Sequence, residues 1–191
     1  MFDDARRPAA VGGNIGTAFA QIVTDLPPEA TVILEVSSFQ LDHVTTFRPR
    51  VAVLLNVTPD HLDRYGHSFE KYAAAKARVF ANQGDGDTVI YNADDEVART
   101  LVEERSPARV RRLPFSAEHE LRQGAFVRAG MMTTAVGETR ADVIPVGDIS
   151  IRGRHNLYNA MAATLTARVM GISAASLRAT LRNFKGVEHR L

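Results

Sequence analysis

The sequence predicts an α/β fold in which helices flank a mostly parallel β-sheet. Short apolar segments alternate along the chain with segments of helical periodicity, an order typical of βαβ units. The apolar segments are rich in β-branched residues and end in polar residues, as buried parallel strands do. With 191 residues, of which 45% are hydrophobic and 24% charged, the chain has the size and composition of one folded domain.

Each predicted strand is a compact run of apolar residues. Residues 31–36, 51–57 and 88–91 are predicted as buried parallel strands, and residues 109–113 as a fourth. From 114 to 152 the pattern changes to short alternating segments interrupted by four glycines. This part is predicted as a small antiparallel β excursion on the α/β body.

The helices are predicted from their caps and from the residues that end them. Residues 16–24 precede a Leu-Pro-Pro break, Ser68 caps a helix that runs to about residue 82, and Asp94 is predicted to cap a third through about residue 105. Asn156 is predicted to cap an amphipathic helix that ends at Gly171, and Ser173 to begin another that ends near residue 184.

The composition argues against several classes of function. Lys and Arg number 23 against 22 Asp and Glu, and the net charge of +1 with interspersed signs does not indicate a nucleic-acid partner. The absence of cysteine excludes disulfides, thiolate metal sites and cysteine nucleophiles. The longest aliphatic run, residues 51–55, is far shorter than the roughly 20 residues of a membrane-spanning helix. We therefore expect no membrane partner and a cytoplasmic location.

Lysine is scarce, and its positions exclude one phosphate-binding motif. The only lysines are Lys71, Lys76 and Lys185, and none of them follows a glycine. A Walker A loop, G-x-x-x-x-G-K-[ST], is therefore impossible within this chain.

Polar side chains follow two of the predicted strands. Glu35 lies where the first strand ends, and residues 56–65 after the second strand include Asp60, His61 and Arg64. Ligands bind outside the carboxyl ends of parallel strands, and two adjacent strands would bring these groups together. A solvated strand end for Glu35, and a turn with a surface histidine for His61, are the alternatives that the sequence leaves open.

Lys76 lies on the apolar face of its predicted helix. Phe69, Tyr72, Lys76, Val79 and Phe80 follow the spacing of one buried stripe. Either the lysine stem packs there while its ammonium group reaches water, or burial favours a neutral amine that can add carbon dioxide. The resulting carbamate would supply an oxygen ligand for a hard cation. The sequence does not choose between the two.

Two further segments have the composition of binding sites. Residues 12–16, Gly-Gly-Asn-Ile-Gly, precede a predicted helix and are either a plain turn or an amino terminus that offers N–H groups to a ligand. Asn156 and Asn159 lie three residues apart at a helix start. Capping alone explains Asn156, so Asn159 is the more informative of the two.

Taken together, these segments resemble the central domain of the Mur ligases. The resemblance rests on residues 12–16, 35–41, 56–65, 74–80 and 153–160 and on the terminal pair His189 and Arg190, in this order along nearly the whole chain. Ser-Ser-Phe-Gln-Leu at 37–41 and Asp-Arg-Tyr at 63–65 are most similar to the family member that adds D-glutamate.

The resemblance implies a role for each matching residue. Glu35 and His61 would hold magnesium, and Lys76 would be a carbamylated lysine that assists a second Mg²⁺. Asn14, Ser37, Gln40 and His61 would lie along the muramoyl-alanine substrate. Asn156, Asn159 and Arg190 would lie near the nucleotide, with Arg190 at the hinge toward a third domain.

The implied reaction is ATP-dependent amide formation in peptidoglycan precursor synthesis. The carboxylate of UDP-N-acetylmuramoyl-L-alanine would attack the γ-phosphate of ATP to give an acyl phosphate, and the amine of D-glutamate would then displace phosphate. Magnesium would offset the charge repulsion between the carboxylate and phosphate oxygens. A carbamate at Lys76 would add a negative oxygen beside the cation, where a bare ammonium group would oppose binding.

The chain also departs from the pattern of this family. The family carries a Walker A loop just before the Gly-Asn-Ile-Gly segment, and the lysine positions exclude that loop here. We therefore expect residues 1–188 to be a truncated central domain without its first strand, residues 189–191 to begin the hinge, and the chain alone to be inactive. The absent strand would leave an exposed edge beside Glu35, which predicts self-association.

Two other functions fit the same segments. One is another enzyme of the superfamily, such as a different Mur ligase or a folylpolyglutamate synthase, although Phe39 and Gln40 argue against it. The other is a non-catalytic module that keeps the site residues only as structural relics, or that binds a nucleotide sugar or a partner protein.

Overall fold

A computed structural model describes residues 1–186, and the predicted hinge at 189–191 lies outside them. The chain forms two sheets. The smaller is a parallel pair, β1 (Ala9–Gly13) and β2 (Thr31–Glu35). The larger has six strands in chain order: β3 (Val51–Leu54), β4 (Thr88–Asn92), β5 (Arg111–Ser116), β6 (Gly124–Arg128), β7 (Met131–Val136) and β8 (Thr139–Pro145).

The predicted α/β class is confirmed, with a mostly parallel large sheet and an antiparallel end. Strands β3 to β6 pair in parallel, and β6, β7 and β8 pair antiparallel. The antiparallel strands are continuous with the parallel ones through the β5–β6 pair, so they extend the main sheet rather than forming a separate layer. Strand β1 was not predicted from the sequence.

Residues 1–186 contain six α-helices, of which the first four lie between strands and the last two follow β8: α1 (Phe19–Ile22), α2 (Ser38–Leu41), α3 (Phe69–Ala77), α4 (Glu96–Arg105), α5 (Arg154–Val169) and α6 (Ala174–Asn183). The caps predicted at Ser68 and Ser173 are confirmed, because each side chain accepts a hydrogen bond from a backbone amide in the first turn. The predicted start of α1 at residue 16 was wrong, because helical geometry begins at Phe19.

Two predicted caps were wrong by one and by three residues. Asp95, not Asp94, caps α4 and accepts from the Ala98 amide at 2.8 Å. Helix α5 begins after Gly153, whose φ of 99° is open to glycine and strained for other residues, and Asn156 lies inside its first turn.

The large sheet lies between two hydrophobic layers. Along β4, Ile90 points toward α5 and α6, whereas Val89 and Tyr91 point toward α3 and α4. All five residues of β4 are buried. The sheet is therefore the middle layer of a three-layer α/β arrangement.

The β1–β2 pair is held beside this body by the amino-terminal segment. Phe2 is buried in the core that α5 and α6 share, and Arg7 donates to the Met170 carbonyl at the end of α5. Strand β2 pairs with β1 along one edge, and within residues 1–186 its other edge has no strand partner. The predicted burial of this strand was wrong, because each of its residues is half-buried or exposed.

Within residues 1–186, the helices are all too short or too polar to cross a lipid bilayer.

Candidate functional site

The segments that follow β2 and β3 lie against each other. The Arg64 guanidinium stacks over the Phe39 ring at 4.7 Å, and the Tyr65 hydroxyl donates to Asp42 at 3.0 Å. The expectation that β2 and β3 are adjacent strands of one sheet was wrong, because they belong to separate sheets. Their carboxyl-terminal segments nevertheless meet, through side chains rather than through a shared ladder of hydrogen bonds.

Tyr65 is the buried centre of this contact. Its exposed fraction is 9%, and burial, together with the adjacent Asp42 carboxylate, raises the pKa of its phenol. Its ring packs edge-on against the Tyr72 ring of α3 with centroids 5.7 Å apart. Tyr65 therefore links the segments after both strands to helix α3.

Glu35 and Asn14 lie side by side at the end of the β1–β2 pair. Gly13 pairs with Glu35 in register, so the next residue, Asn14, reaches the end of β2. The Asn14 amide side chain donates to Glu35 Oε1 at 3.4 Å, and its backbone N–H donates to the Glu35 carbonyl at 2.8 Å. A Cβ at Gly13 would lie 2.3 Å from that carbonyl oxygen, so this close approach requires glycine.

Ser37 and Gln40 bond to each other in the first turn of α2. Both the backbone N–H and the hydroxyl of Ser37 donate to Gln40 Oε1 at 2.9 Å. This is the reciprocal arrangement of a capping box, in which the N3 side chain accepts from the N-cap amide. Gln40 itself is exposed.

His61 begins the short turn after β3. Its side chain is 72% exposed, its φ is 50°, and its Nε2 lies 3.5 Å from an Asp60 carboxylate oxygen. The 3₁₀ turn Leu62–Tyr65 that follows carries Arg64 and Tyr65 to their partners. The imidazole therefore stands in solvent at the rim of the contact between the two segments.

Lys76 is half-buried on α3 rather than fully enclosed in an apolar stripe. Its Nζ lies 5.2 Å from the centre of the Tyr72 ring, within range of a cation–π interaction. Tyr72 in turn contacts Tyr65. These two ring contacts connect Lys76 to the turn that follows His61.

The donors at this site fit a magnesium ion that takes few ligands from the protein and the rest from water and substrate phosphates. Mg²⁺ prefers oxygen, keeps several waters, and commonly takes one or two carboxylates together with substrate phosphates. Glu35 offers a half-buried carboxylate that Asn14 orients. Lys76 would contribute an oxygen only after conversion to a carbamate.

One cluster in residues 1–186 has the spacing of a three-ligand metal site, and it includes neither Glu35 nor His61. Ligand atoms of Asp94, Glu118 and His119 lie within 4.8 Å of one another. These groups already have partners: Asp94 accepts from the Tyr158 hydroxyl at 2.9 Å, and Glu118 forms an ion pair with Arg154. Their geometry is explained by the link between β4, β5 and α5. Sequence reasoning missed this network.

The residues assigned to the nucleotide lie on α5. The Asn156 side chain donates to the Arg152 carbonyl at 2.7 Å, and Asn159 is exposed. Asn159 lines a mostly apolar cavity of about 420 Å³ between α5, α6 and the β1–β2 pair. Arg190 lies outside the described residues.

Residues 16–167 match the family model described as the Mur ligase middle domain. The chain belongs to the Mur ligase family. It is 47% identical over 190 residues to the UDP-N-acetylmuramoylalanine–D-glutamate ligase of Salinibacter ruber, covering 99% of this chain and 41% of that relative. It is 46% identical over 191 residues to the same-named ligase of Pelotomaculum thermopropionicum, covering 100% of this chain and 41% of that relative. The chain thus spans about two fifths of the length of these curated relatives.

Solved structures of Mur ligases share the fold. MurF from Acinetobacter baumannii superposes with a TM-score of 0.67 at 17% identity, over 97% of this chain and 47% of that one. A UDP-N-acetylmuramoyl-L-alanyl-D-glutamate–2,6-diaminopimelate ligase superposes with a TM-score of 0.64 at 20% identity, over 96% of this chain and 47% of that one. At these identities the likeness establishes the architecture of this Mur ligase domain.

Proposed function

We propose that this chain supplies the middle domain of a cytoplasmic ligase that joins D-glutamate to UDP-N-acetylmuramoyl-L-alanine. ATP would activate the alanyl carboxylate as an acyl phosphate, which the amine of D-glutamate then attacks. Identity of 46–47% to ligases of that name along the whole chain supports this substrate pair. The observation that carries the proposal is the contact between the segments after β2 and β3, in which Arg64 stacks over Phe39 and Tyr65 bonds to Asp42.

The residues of the proposed site lie on both sides of this contact, and those on each side have different roles. On the β2 side, Glu35 offers a carboxylate whose direction is set by Asn14. Gln40, whose Oε1 accepts from Ser37, is assigned to the muramoyl-alanine substrate. These groups bind and orient, because holding reactants in one geometry favours the reaction.

On the β3 side, His61 stands at the exposed rim and Lys76 lies behind it on α3. We assign His61 to the substrate and to the metal, and Lys76 to the metal as a carbamate. Magnesium, when bound, would neutralise phosphate and carboxylate charge during phosphoryl transfer. Asn156 and Asn159, at the start of α5, are assigned to the nucleotide.

The proposal is tested by titrating the chain with UDP-N-acetylmuramoyl-L-alanine in the presence of Mg²⁺ by isothermal calorimetry. Glu35→Gln is expected to weaken binding at least tenfold, which corresponds to about 1.4 kcal/mol. Glu29→Gln is the matched control, because this glutamate is exposed before β2. Lys76→Ala is likewise compared with Lys71→Ala, an exposed lysine of the same helix.

Three results would contradict the proposal. Absence of binding by the unaltered chain, or equal losses in Glu35→Gln and Glu29→Gln, would mean that Glu35 does not form the binding site. Tighter binding of a UDP-muramoyl dipeptide that already carries D-glutamate would instead assign the chain to a later ligation step.

A further inference from the structure

We propose that a cluster of three arginines at the amino end of the large sheet binds one phosphate group. The arginine cluster consists of Arg48 and Arg50, which precede β3, and Arg109, which precedes β5. The inference is independent of the proposed function, because the cluster lies before the amino end of β3 and His61 follows its carboxyl end.

Two guanidinium groups of the arginine cluster lie over Gly84, in the turn before β4. A Cβ at this glycine would lie 3.2 Å from Arg48 Nη2 and 3.2 Å from Arg109 Nε. The two nitrogen atoms are therefore no more than twice that distance apart. Because Gly84 has no side chain, the space between the two guanidinium groups is open, and a ligand oxygen that enters it meets donors on both sides.

The sheet brings the third arginine to the same turn. The Arg50 carbonyl accepts from the Thr88 amide at 3.0 Å, which places Arg50 beside Asp87. Burial acts to raise the pKa of Asp87, but a backbone amide and the charges of Arg48 and Arg50 outweigh it and lower that pKa. All three guanidinium groups of the cluster therefore border one turn.

The arginine cluster carries more positive charge than its neighbours neutralise. Arg48 Nε pairs with the Asp87 carboxylate at 2.5 Å. Within residues 1–186, the exposed side chains of Arg50, Arg109 and Asp85 form neither an ion pair nor a hydrogen bond. Three positive charges thus face one paired carboxylate, in a chain whose net charge is only +1. A phosphate group carries about −1.5 to −2 charge at pH 7 and matches this excess.

The arrangement favours a compact anion over an extended acidic polypeptide. Guanidinium groups bind phosphate oxygens with paired hydrogen bonds, and here two of them converge on one glycine. Arg48 is already held by the Asp87 carboxylate and by the Asp85 carbonyl, so its ordering on binding costs little. The occupant is one phosphate group, either as the free ion or as the monoester of a small molecule.

The test titrates the chain with inorganic phosphate at constant ionic strength and follows backbone amide and arginine Nε–H signals by NMR. We expect saturable shifts at residues 84–87 and at the three arginines, with one phosphate per chain, and no such shifts with chloride. Methyl phosphate distinguishes the two sources. Affinity equal to that of inorganic phosphate indicates a monoester, and affinity at least tenfold lower restricts the occupant to the free ion.

Two pairs of variants test the location. Arg109→Gln is expected to weaken phosphate binding at least fivefold. Arg122→Gln removes the same charge from an exposed arginine between β5 and β6 and is expected to leave binding unchanged. Gly84→Ala is expected to weaken binding at least threefold, because its methyl group enters the space between the guanidinium groups. Gly147→Ala is the control, since a Cβ there meets no atom within 4 Å.

Other results would overturn the proposal. Shifts that do not saturate, or that chloride reproduces, would indicate screening of charge rather than a site. Equal losses in Arg109→Gln and Arg122→Gln would mean that binding depends on total charge and not on the arginine cluster. Tighter binding of a hexaglutamate peptide than of phosphate would make an acidic polypeptide the partner.

Discussion

Replacing Asp94 by alanine is expected to destabilise the fold strongly, because its carboxylate joins three elements. Oδ1 accepts from the Ser116 hydroxyl at 2.5 Å, at the end of β5. Oδ2 accepts from the Ala117 amide at 2.8 Å and from the Tyr158 hydroxyl of α5 at 2.9 Å. Burial, with a contribution from this carboxylate, raises the pKa of Tyr158. The bond therefore holds a neutral phenol against the end of the sheet.

The size of the effect follows from these three bonds. A hydrogen bond to a charged group contributes about 1.5–3 kcal/mol when it is buried, and an ordinary one about 0.5–1.5. Asp94 is half-buried, so water can bond to some of the donors that the substitution leaves without an acceptor. The loss of stability is therefore smaller than the sum of the three bonds. We expect Asp94→Ala to lower the free energy of unfolding by about 2–4 kcal/mol and Tyr158→Phe to lower it by about 1.

Urea unfolding followed by circular dichroism measures both values, since the chain has no tryptophan. Asp85→Ala, at an exposed aspartate, is the control and is expected to change stability by less than about 0.5 kcal/mol. In a double-mutant cycle, Asp94→Ala with Tyr158→Phe is expected to lose less than the sum of the single losses. A loss below about 1 kcal/mol for Asp94→Ala, or strict additivity in the cycle, would refute the reasoning.

Two further predictions concern a glycine and an ion pair. Gly13→Ala is expected to lower the unfolding free energy by at least about 2 kcal/mol more than Gly16→Ala. Both glycines have positive φ, but only at Gly13 would a Cβ strike the β2 backbone. Equal urea midpoints for the two variants would contradict this. Burial acts to raise the pKa of Asp87, but the Gly84 amide and the Arg48 guanidinium outweigh it and hold that pKa below its ordinary value. The stabilisation is therefore complete above the unfolded pKa of about 3.9 and is lost as pH falls through the folded value. Asp87→Asn should be less stable than the unaltered chain at neutral pH, and the difference in urea midpoint should shrink as the pH falls through the folded pKa of Asp87. A constant difference would contradict this.

Local signals in the sequence were enough to predict some elements and not others. Strand β4 is buried on both faces, so its apolar run is unambiguous. Strand β1, Ala-Ala-Val-Gly-Gly, has no such pattern and is a strand because it pairs with β2. At the start of α4, Asp94 and Asp95 have equal capping chemistry, and tertiary partners decide between them: Asp94 is occupied by β5 and α5, which leaves Asp95 as the cap.

The position of the candidate residues in the fold was predictable from the sequence, and the way in which their segments meet was not. The rule that ligands gather at the carboxyl ends of parallel strands located Glu35 and His61. Their strands are not neighbours in one sheet, however. No local sequence pattern reveals whether two strands are joined by backbone hydrogen bonds. The link between Arg64 and Phe39 joins residues far apart in sequence, so only the folded chain displays it.

The central claim, that the segments after β2 and β3 form one cation site, is tested most directly with Mn²⁺ as a paramagnetic substitute for Mg²⁺. NMR signals near the ion broaden, and the account predicts that amides around Glu35 and around His61 broaden together at the same Mn²⁺ concentration. Glu35→Gln should abolish both effects, and Glu29→Gln should leave them unchanged. Broadening centred instead on the cluster of Asp94, Glu118 and His119 would contradict the account.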